Sequence, residues 1–245
     1  MTDADTGISH ETEFYRRQYE GGIVSLELDP ATKVAKFQES LSPGKRYGLV
    51  NEIFEGQVRP DDVIVELGSG QADCLVLMID RYKLTNVTAV DVGFAEDMQN
   101  GPLRMINRNL NQKWDLDDGS IDYLIALMVF EHLFDPFHCF EEVKRVLKPR
   151  GVACVTLPIV SSLKNRIRLL FGQIPVTSSG VDVWFRDANW DGNHLHYFTV
   201  PLLKRLADRC GLAMCDYRGV GRFHQIKGRF PNLLAGELSF TLRHK

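Results

Sequence analysis

The chain has 245 residues, 44% hydrophobic and 25% charged, with a formal net charge of -3. This balance describes a globular protein of one large domain, or one domain with an insert. No stretch concentrates lysine and arginine, which excludes the electrostatic footprint of a dedicated nucleic-acid binder and favours a small-molecule partner.

Read from Met1, the chain opens MTDADTGISHETEFYRR, without an apolar core. Neither a secretory signal nor a transit peptide is expected, and the expected location is cytoplasmic. Residues 1–60 mix Gly21-Gly22, Pro30 and Pro43-Gly44 with short helical patterns, as an N-terminal helical cap on the substrate side would.

From Asp62 the pattern changes to apolar runs of strand length separated by helix-length segments, which predicts a parallel sheet with helices on both faces. Strands are predicted at 63–66, 87–92, 103–107, 123–130, 152–157, 213–217 and 237–242. The longest apolar run, 123–130, is far short of the roughly 20 residues a membrane helix needs, so no integral membrane segment is expected. Asp135-Pro136 should cap and open a helix whose apolar face is Phe137, Phe140, Val143 and Leu147, ended by Lys148-Pro149-Arg150-Gly151. Residues 159–193 interrupt the alternation and read as an insert in the 61–245 domain. Thr199 and Pro201 then start a helix with apolar Leu202, Leu203, Leu206 and Ala207, which Gly211 ends. The five cysteines, Cys74, Cys139, Cys154, Cys210 and Cys215, lack any paired-ligand spacing, so reduced thiols are expected in place of a disulfide framework or a zinc knuckle.

The chemistry concentrates where the first strand meets its helix. Glu66-Leu67-Gly68-Ser69-Gly70-Gln71-Ala72 is a glycine turn at which backbone can approach a ligand closely, and Ala72 lets the helix start near the sheet. Alone, a glycine pair after a strand is also an ordinary structural turn. Twenty-one residues past Gly70, however, the second strand ends at Asp91, whose carboxylate can accept both hydroxyls of a ribose. Two cofactor classes suit that pair. A nicotinamide dinucleotide needs free helix-start amides for its pyrophosphate, whereas S-adenosylmethionine also needs a partner for its ammonium, which Glu66 can supply.

Residues 63–158 resemble the class I S-adenosylmethionine-dependent methyltransferases, especially the small-molecule branch with an acid-x-Gly-x-Gly turn. Three further segments carry the resemblance in order. Asp117-Asp118-Gly119-Ser120-Ile121-Asp122 matches the turn before the fourth strand, Phe130-Glu131-His132-Leu133 the segment after it, and Val146-Leu147-Lys148-Pro149-Arg150-Gly151 the turn before the fifth. Gly192-Asn193-His194-Leu195-His196-Tyr197-Phe198-Thr199 is similar to a segment of one branch of the family.

The resemblance implies a Rossmann-like, doubly wound α/β sheet of seven strands, mostly parallel with an antiparallel last strand, and S-adenosylmethionine as cofactor. It assigns Glu66, Gly68, Ser69 and Gly70 to the methionine part, Asp91 to the ribose and Val92 to the adenine. Asn109, followed by Leu110, stands where many relatives carry an acid facing the adenine amine; an asparagine oxygen can still accept that hydrogen bond. Met128 and Phe130 either flank the sulfonium or pack the core.

Methyl transfer from a sulfonium needs mainly the positioning of donor and acceptor, with removal of an acceptor proton where the acceptor carries one. The expected proton acceptors are His132, His194 and His196, with Glu131 and His138 as weaker options. The Glu131-His132 pair also reads as a cap or brace for the next helix, and this structural reading stands slightly ahead of the chemical one. No metal site is expected, because His194 and His196 lack recognisable further ligands, although Asp187 and Asp191 lie nearby in sequence. Tyr15, Tyr19, Lys45 and Arg46 are candidates to close over the cofactor's carboxylate. Trp184, Phe185, Arg186 and Trp190 are candidates for an acceptor wall. Residues 165–171, with Ile167, Leu170 and Phe171 among Arg166 and Arg168, have an amphipathic pattern that suits a lid or a homodimer contact better than a membrane surface.

The leading expectation is O-methylation of a small metabolite or of a glycan or natural-product intermediate, with N- or C-methylation close behind. An NAD(P)-dependent oxidoreductase is the alternative from another enzyme class, though no tyrosine-lysine catalytic spacing is recognisable. The departure at Asn109 motivates a third alternative, a non-catalytic cofactor-binding partner subunit.

Overall fold

The structure is a computed structural model that describes residues 35, 37–177 and 194–245. Tyr15 and Tyr19 lie outside the described residues, as do Trp184, Phe185, Arg186 and Trp190 of the insert and its Asp187 and Asp191.

Helix α1 (Gly48–Gln57) leads into β1 (Val63–Leu67), α2 (Asp73–Tyr82) and β2 (Asn86–Val90). The chain then forms β3 (Met98–Asn100), β4 (Leu103–Ile106) and β5 (Ile121–Leu127), followed by a 3-10 turn at Phe130–His132. Helix α3 (Pro136–Val146), β6 (Leu147–Pro158) and α4 (Leu163–Leu170) precede the final part, α5 (Val200–Arg209), β7 (Leu212–Gly219), α6 (His224–Arg229), α7 (Pro231–Leu234) and β8 (Glu237–His244). The strands form one sheet in the order β3-β4-β2-β1-β5-β6-β8-β7. β4, β2, β1, β5 and β6 run parallel, and the last strand, β8, pairs antiparallel with both β6 and β7.

This is the expected α/β sheet with one strand more than seven. The addition is β3, three exposed residues paired antiparallel with β4 at the edge. Its residues are polar or exposed, so no apolar alternation announces it. β5 also ends earlier than its apolar run. Met128 takes a left-handed backbone, φ 60°, and turns the chain out of strand geometry before Phe130, although its N–H still donates to Thr156 O at 2.8 Å.

The sheet is buried on both faces, which is why β1 reads as a nearly continuous apolar run. Successive side chains feed opposite cores: Val65 and Leu67 pack in one, with Leu124 and Ala126, while Ile64 packs in the other, with Ile125. α1 adds Leu49, Val50, Ile53 and Phe54 to the second core. Each such fully buried side chain is worth about 1.5–3 kcal/mol.

The helix caps form as the residue types dictate. Asp135 Oδ1 accepts from Phe137 N at 2.8 Å, and Thr199 Oγ1 from Leu202 N at 3.4 Å. The buried face of α3 is Cys139, Phe140, Val143 and Val146, whereas Phe137 is exposed beneath the Arg209 guanidinium. Leu147 begins β6, so Lys148-Pro149-Arg150-Gly151 lies in the start of the strand. All five cysteines are free thiols, three of them buried. Among the described residues, no helix is long and apolar enough to cross a membrane.

The topology fixes the location of the crevice. From β1 the chain moves outward to β2 and β4, then crosses back to place β5 on the other side of β1. The carboxyl ends of β1 and β5 therefore flank the switch point of the sheet, where ligands bind in folds of this kind.

Candidate active site

Glu66 is the fourth residue of β1 and is buried, 2% exposed. The Tyr47 hydroxyl, from the residue preceding α1, donates to its Oε1, and its Oε2 has no partner among the described residues. Burial pushes the carboxyl up to about 8 against the pull of that hydrogen bond. A half-satisfied buried carboxyl is costly in isolation, and a ligand cation is the chemistry that completes it.

The two glycines serve different ends. Gly68 has φ +62°, and a Cβ there would stand 2.5 Å from Val129 Cγ2, so it lets the turn lie against the segment leaving β5. Gly70 has φ +57° and open space where a Cβ would stand. Its N–H donates to Asp91 Oδ2 at 2.8 Å, while Gly93 N donates to Asp91 Oδ1 at 2.8 Å. Asp91, just past the end of β2, is thereby held across the turn; burial raises its pKa and these two amides oppose that rise. Between them, Ser69 Oγ is buried without a partner. An orphaned carboxylate oxygen, an orphaned hydroxyl, an open cradle and an anchored aspartate fit a zwitterionic nucleoside ligand.

The remaining predicted contacts divide. Val92 is half-buried beside Asp91, and Leu110 is buried. Asn109 Oδ1 accepts from both Asn111 N, at 3.0 Å, and Asn111 Nδ2, at 3.2 Å, so the oxygen that stands in for the family's acid closes a local turn. Met128 is half-buried at the end of β5. Phe130 is fully buried with its ring centroid 5.9 Å from that of Phe140, on the core side.

Of the N-terminal candidates, Lys45 pairs with Glu39 and Arg46 makes two 2.9 Å bonds to Glu237. Tyr47, next in sequence to Arg46, is the residue that reaches the cleft acid. No periodicity or motif in the sequence marks it.

The histidines gather at the end of β5. The rings of His132 and His194 lie 4.9 Å apart, edge to face, and His132 Nε2 is 4.0 Å from Glu131 Oε1. Glu131 is fully buried, and among the described residues neither carboxylate oxygen has a hydrogen-bond partner. Burial pushes this carboxyl too up to about 8. The Glu131 carbonyl accepts from Leu195 N at 2.8 Å and His196 N at 3.2 Å, which ties residues 194–196 to the 3-10 turn across more than sixty positions of sequence. His194 Nδ1 lies 2.6 Å from Thr177 Oγ1. His196 Nε2 bonds the Phe134 carbonyl at 3.1 Å, which requires a proton on that nitrogen. His138 bonds the Gln112 carbonyl at 2.8 Å and packs edge-on to Trp114.

A family model described as a methyltransferase domain matches residues 34–216, three quarters of the chain. The chain belongs to the class I S-adenosylmethionine-dependent methyltransferases. S-adenosylmethionine is its cofactor, which decides between the two classes that the glycine turn admits. No curated protein matches the sequence. Among solved structures, it is similar to the geranyl diphosphate C-methyltransferase of Streptomyces coelicolor A3(2), at TM-score 0.59 and 13% identity over 96% of this chain and 97% of that one. The 1,6-didemethyltoxoflavin-N1-methyltransferase of Burkholderia thailandensis gives 0.56 and 13%, over 98% and 93%. An S-adenosylmethionine-dependent methyltransferase of Mesorhizobium loti gives 0.57 and 14%, over 80% and 98%. At these identities the likeness is one of fold.

Proposed function

We propose that this methyltransferase-family chain is an active enzyme that transfers the methyl group of S-adenosylmethionine to a hydroxyl oxygen of a small metabolite or of a glycan or natural-product intermediate. The observation that carries this reading is the placement of the Glu131, His132 and His194 side chains next to the switch-point crevice. Their segment leaves β5 through Val129, which touches the Gly68 turn.

S-adenosylmethionine, when bound, supplies a methyl carbon already activated by its sulfonium. The protein's tasks are then to hold donor and acceptor in line, exclude water and manage one proton. Glu66 and Ser69 offer unsatisfied oxygens to the methionine part, Gly68 and Gly70 let the backbone approach it, and Asp91 faces the ribose. Val92 and Leu110 give the adenine its apolar surroundings, with Asn109 at the rim. Met128 lines the methionine end, and Phe130 supports it from the core. An acceptor hydroxyl is held, and loses its proton, at the His132–His194 pair, while His196 positions that segment through its bond to Phe134. A hydroxyl pKa far above that of imidazole makes such assistance useful at neutral pH. The same pair could take a proton from an amine, which keeps N-methylation as the neighbouring reading.

The test is a screen of hydroxylated and amine acceptors, read by the appearance of S-adenosylhomocysteine and a product 14 mass units heavier. Turnover on phenolic or sugar hydroxyls supports the reading. Turnover on amines alone moves the acceptor atom to nitrogen. Retained cofactor affinity with no turnover on any acceptor supports the non-catalytic partner subunit.

A further inference from the structure

We infer that Glu131, His132 and His194 form a binding site for one divalent first-row transition-metal ion of the zinc class. This rests on the reading above for the identity of the acceptor, though not for the metal itself, and a bound ion would take over from the two imidazoles the task of easing the hydroxyl proton away. One ligand atom from each of the three residues lies within 4.8 Å of the others, and this is the group of metal-capable side chains found among the described residues. A carboxylate oxygen and two imidazole nitrogens suit zinc or iron better than magnesium or calcium, which prefer oxygen. An ion at about 2.0–2.2 Å from each would draw the three atoms together through small side-chain rotations.

Glu131 is the independent sign of a missing cation. It is fully buried, and among the described residues neither oxygen has a hydrogen-bond partner. Arg46, the cation of the adjoining segment, gives two hydrogen bonds to Glu237 instead. Arg46 therefore acts on Glu131 only as a nearby charge, and a buried carboxylate without a hydrogen bond is costly until a cation completes it. The surroundings are also organised as ligand support. The two halves of the site are pinned by the amides of Leu195 and His196 on the Glu131 carbonyl. Thr177 Oγ1 lies 2.6 Å from His194 Nδ1, the kind of oxygen partner that orients metal-bound imidazoles. Three protein ligands leave coordination positions for an acceptor oxygen, whose hydroxyl pKa the ion lowers. An acceptor with two adjacent oxygens would chelate it.

The full chain, freed of metal by chelator and without a histidine tag, is titrated with Co2+ and followed by visible absorption and metal content. Expected are one ion per chain, d–d bands and displacement by Zn2+. Glu131→Gln and His194→Gln are each expected to weaken binding at least tenfold. S-adenosylmethionine calorimetry on both shows whether they remain folded. A readout independent of variants is paramagnetic shifting by Co2+ of two histidine ring resonances among the seven. No Co2+ uptake by the wild type, undiminished affinity in both variants, or no shifted histidine pair overturns the site. Loss of S-adenosylmethionine binding by the wild type would instead defeat the methyltransferase reading and leave the Co2+ result standing.

Discussion

The carboxyl ends of β1 and β5 each carry a buried glutamate, and the two are completed in opposite ways. Glu66 receives the Tyr47 hydroxyl and keeps one orphaned oxygen, inside a turn built from seven consecutive residues and one aspartate. Glu131 has no hydrogen bond on either oxygen among the described residues, and it groups with His132 and with His194, which Thr177 contacts. The β1 end is thus a local device with one long-range support, whereas the β5 end exists only where two distant segments meet. The first suits a cofactor shared by a whole family, the second an acceptor particular to this chain.

The comparison can be broken at its strongest point by Asp91→Ala. That change removes the acceptor of two backbone amides together with the proposed ribose contact, so S-adenosylmethionine affinity should fall at least about 100-fold in calorimetry, from charged hydrogen bonds worth about 1.5–3 kcal/mol each. An unchanged affinity would show that the ribose lies elsewhere.

The two glycines separate structure from binding. Gly68→Ala meets both a left-handed backbone and Val129 at 2.5 Å, and should lower the folding free energy by about 1–3 kcal/mol in denaturant titration. Gly70→Ala meets only the backbone term, about 1 kcal/mol, and its main effect should be on cofactor affinity. Equal stability losses would mean that the contact with Val129 is relieved cheaply.

Tyr47→Phe sharpens the comparison by making Glu66 resemble Glu131. The loss of one donor to a buried carboxyl should cost about 1–3 kcal/mol, measured as a shift of the denaturation midpoint. Cofactor affinity should change less than in Asp91→Ala.

The smallest effect is a pH dependence. The folded-state pKa of Glu66 is raised to about 8 from 4.5, so the folded state keeps a proton that the unfolded chain has released. Its contribution to stability is fully present below 4.5, declines as pH rises to about 8 and is flat above that. Glu66→Gln should therefore gain melting temperature relative to wild type through that window, with little difference below it. Cofactor binding near pH 7 should release a proton from Glu66, visible in calorimetry as a heat that varies with the ionisation enthalpy of the buffer.

Much of this was legible in the sequence. Both-face burial makes β1, β2 and β5 apolar, and strand period, caps at Asp135 and Thr199, and the glycine turn all follow from residue type within a short window. The exposed β3 and the early end of β5 at Met128 were not legible, because the former has no apolar signature and the latter is a backbone turn inside an apolar run. Phe137 likewise kept the helical period, yet the core selected Cys139 and Val146 in its place.

The sequence by itself determined the class of sheet and the turn that brings Glu66, Gly68, Gly70 and Asp91 together, since these depend on torsions and spacings within a strand, a turn and the next strand. Only the tertiary structure decided that Tyr47 completes Glu66, that Asn109 turns its oxygen to Asn111, and that His194 joins Glu131 and His132. Those depend on which segments the sheet brings side by side, and a buried charge finds its partners across space, where sequence separation carries no information.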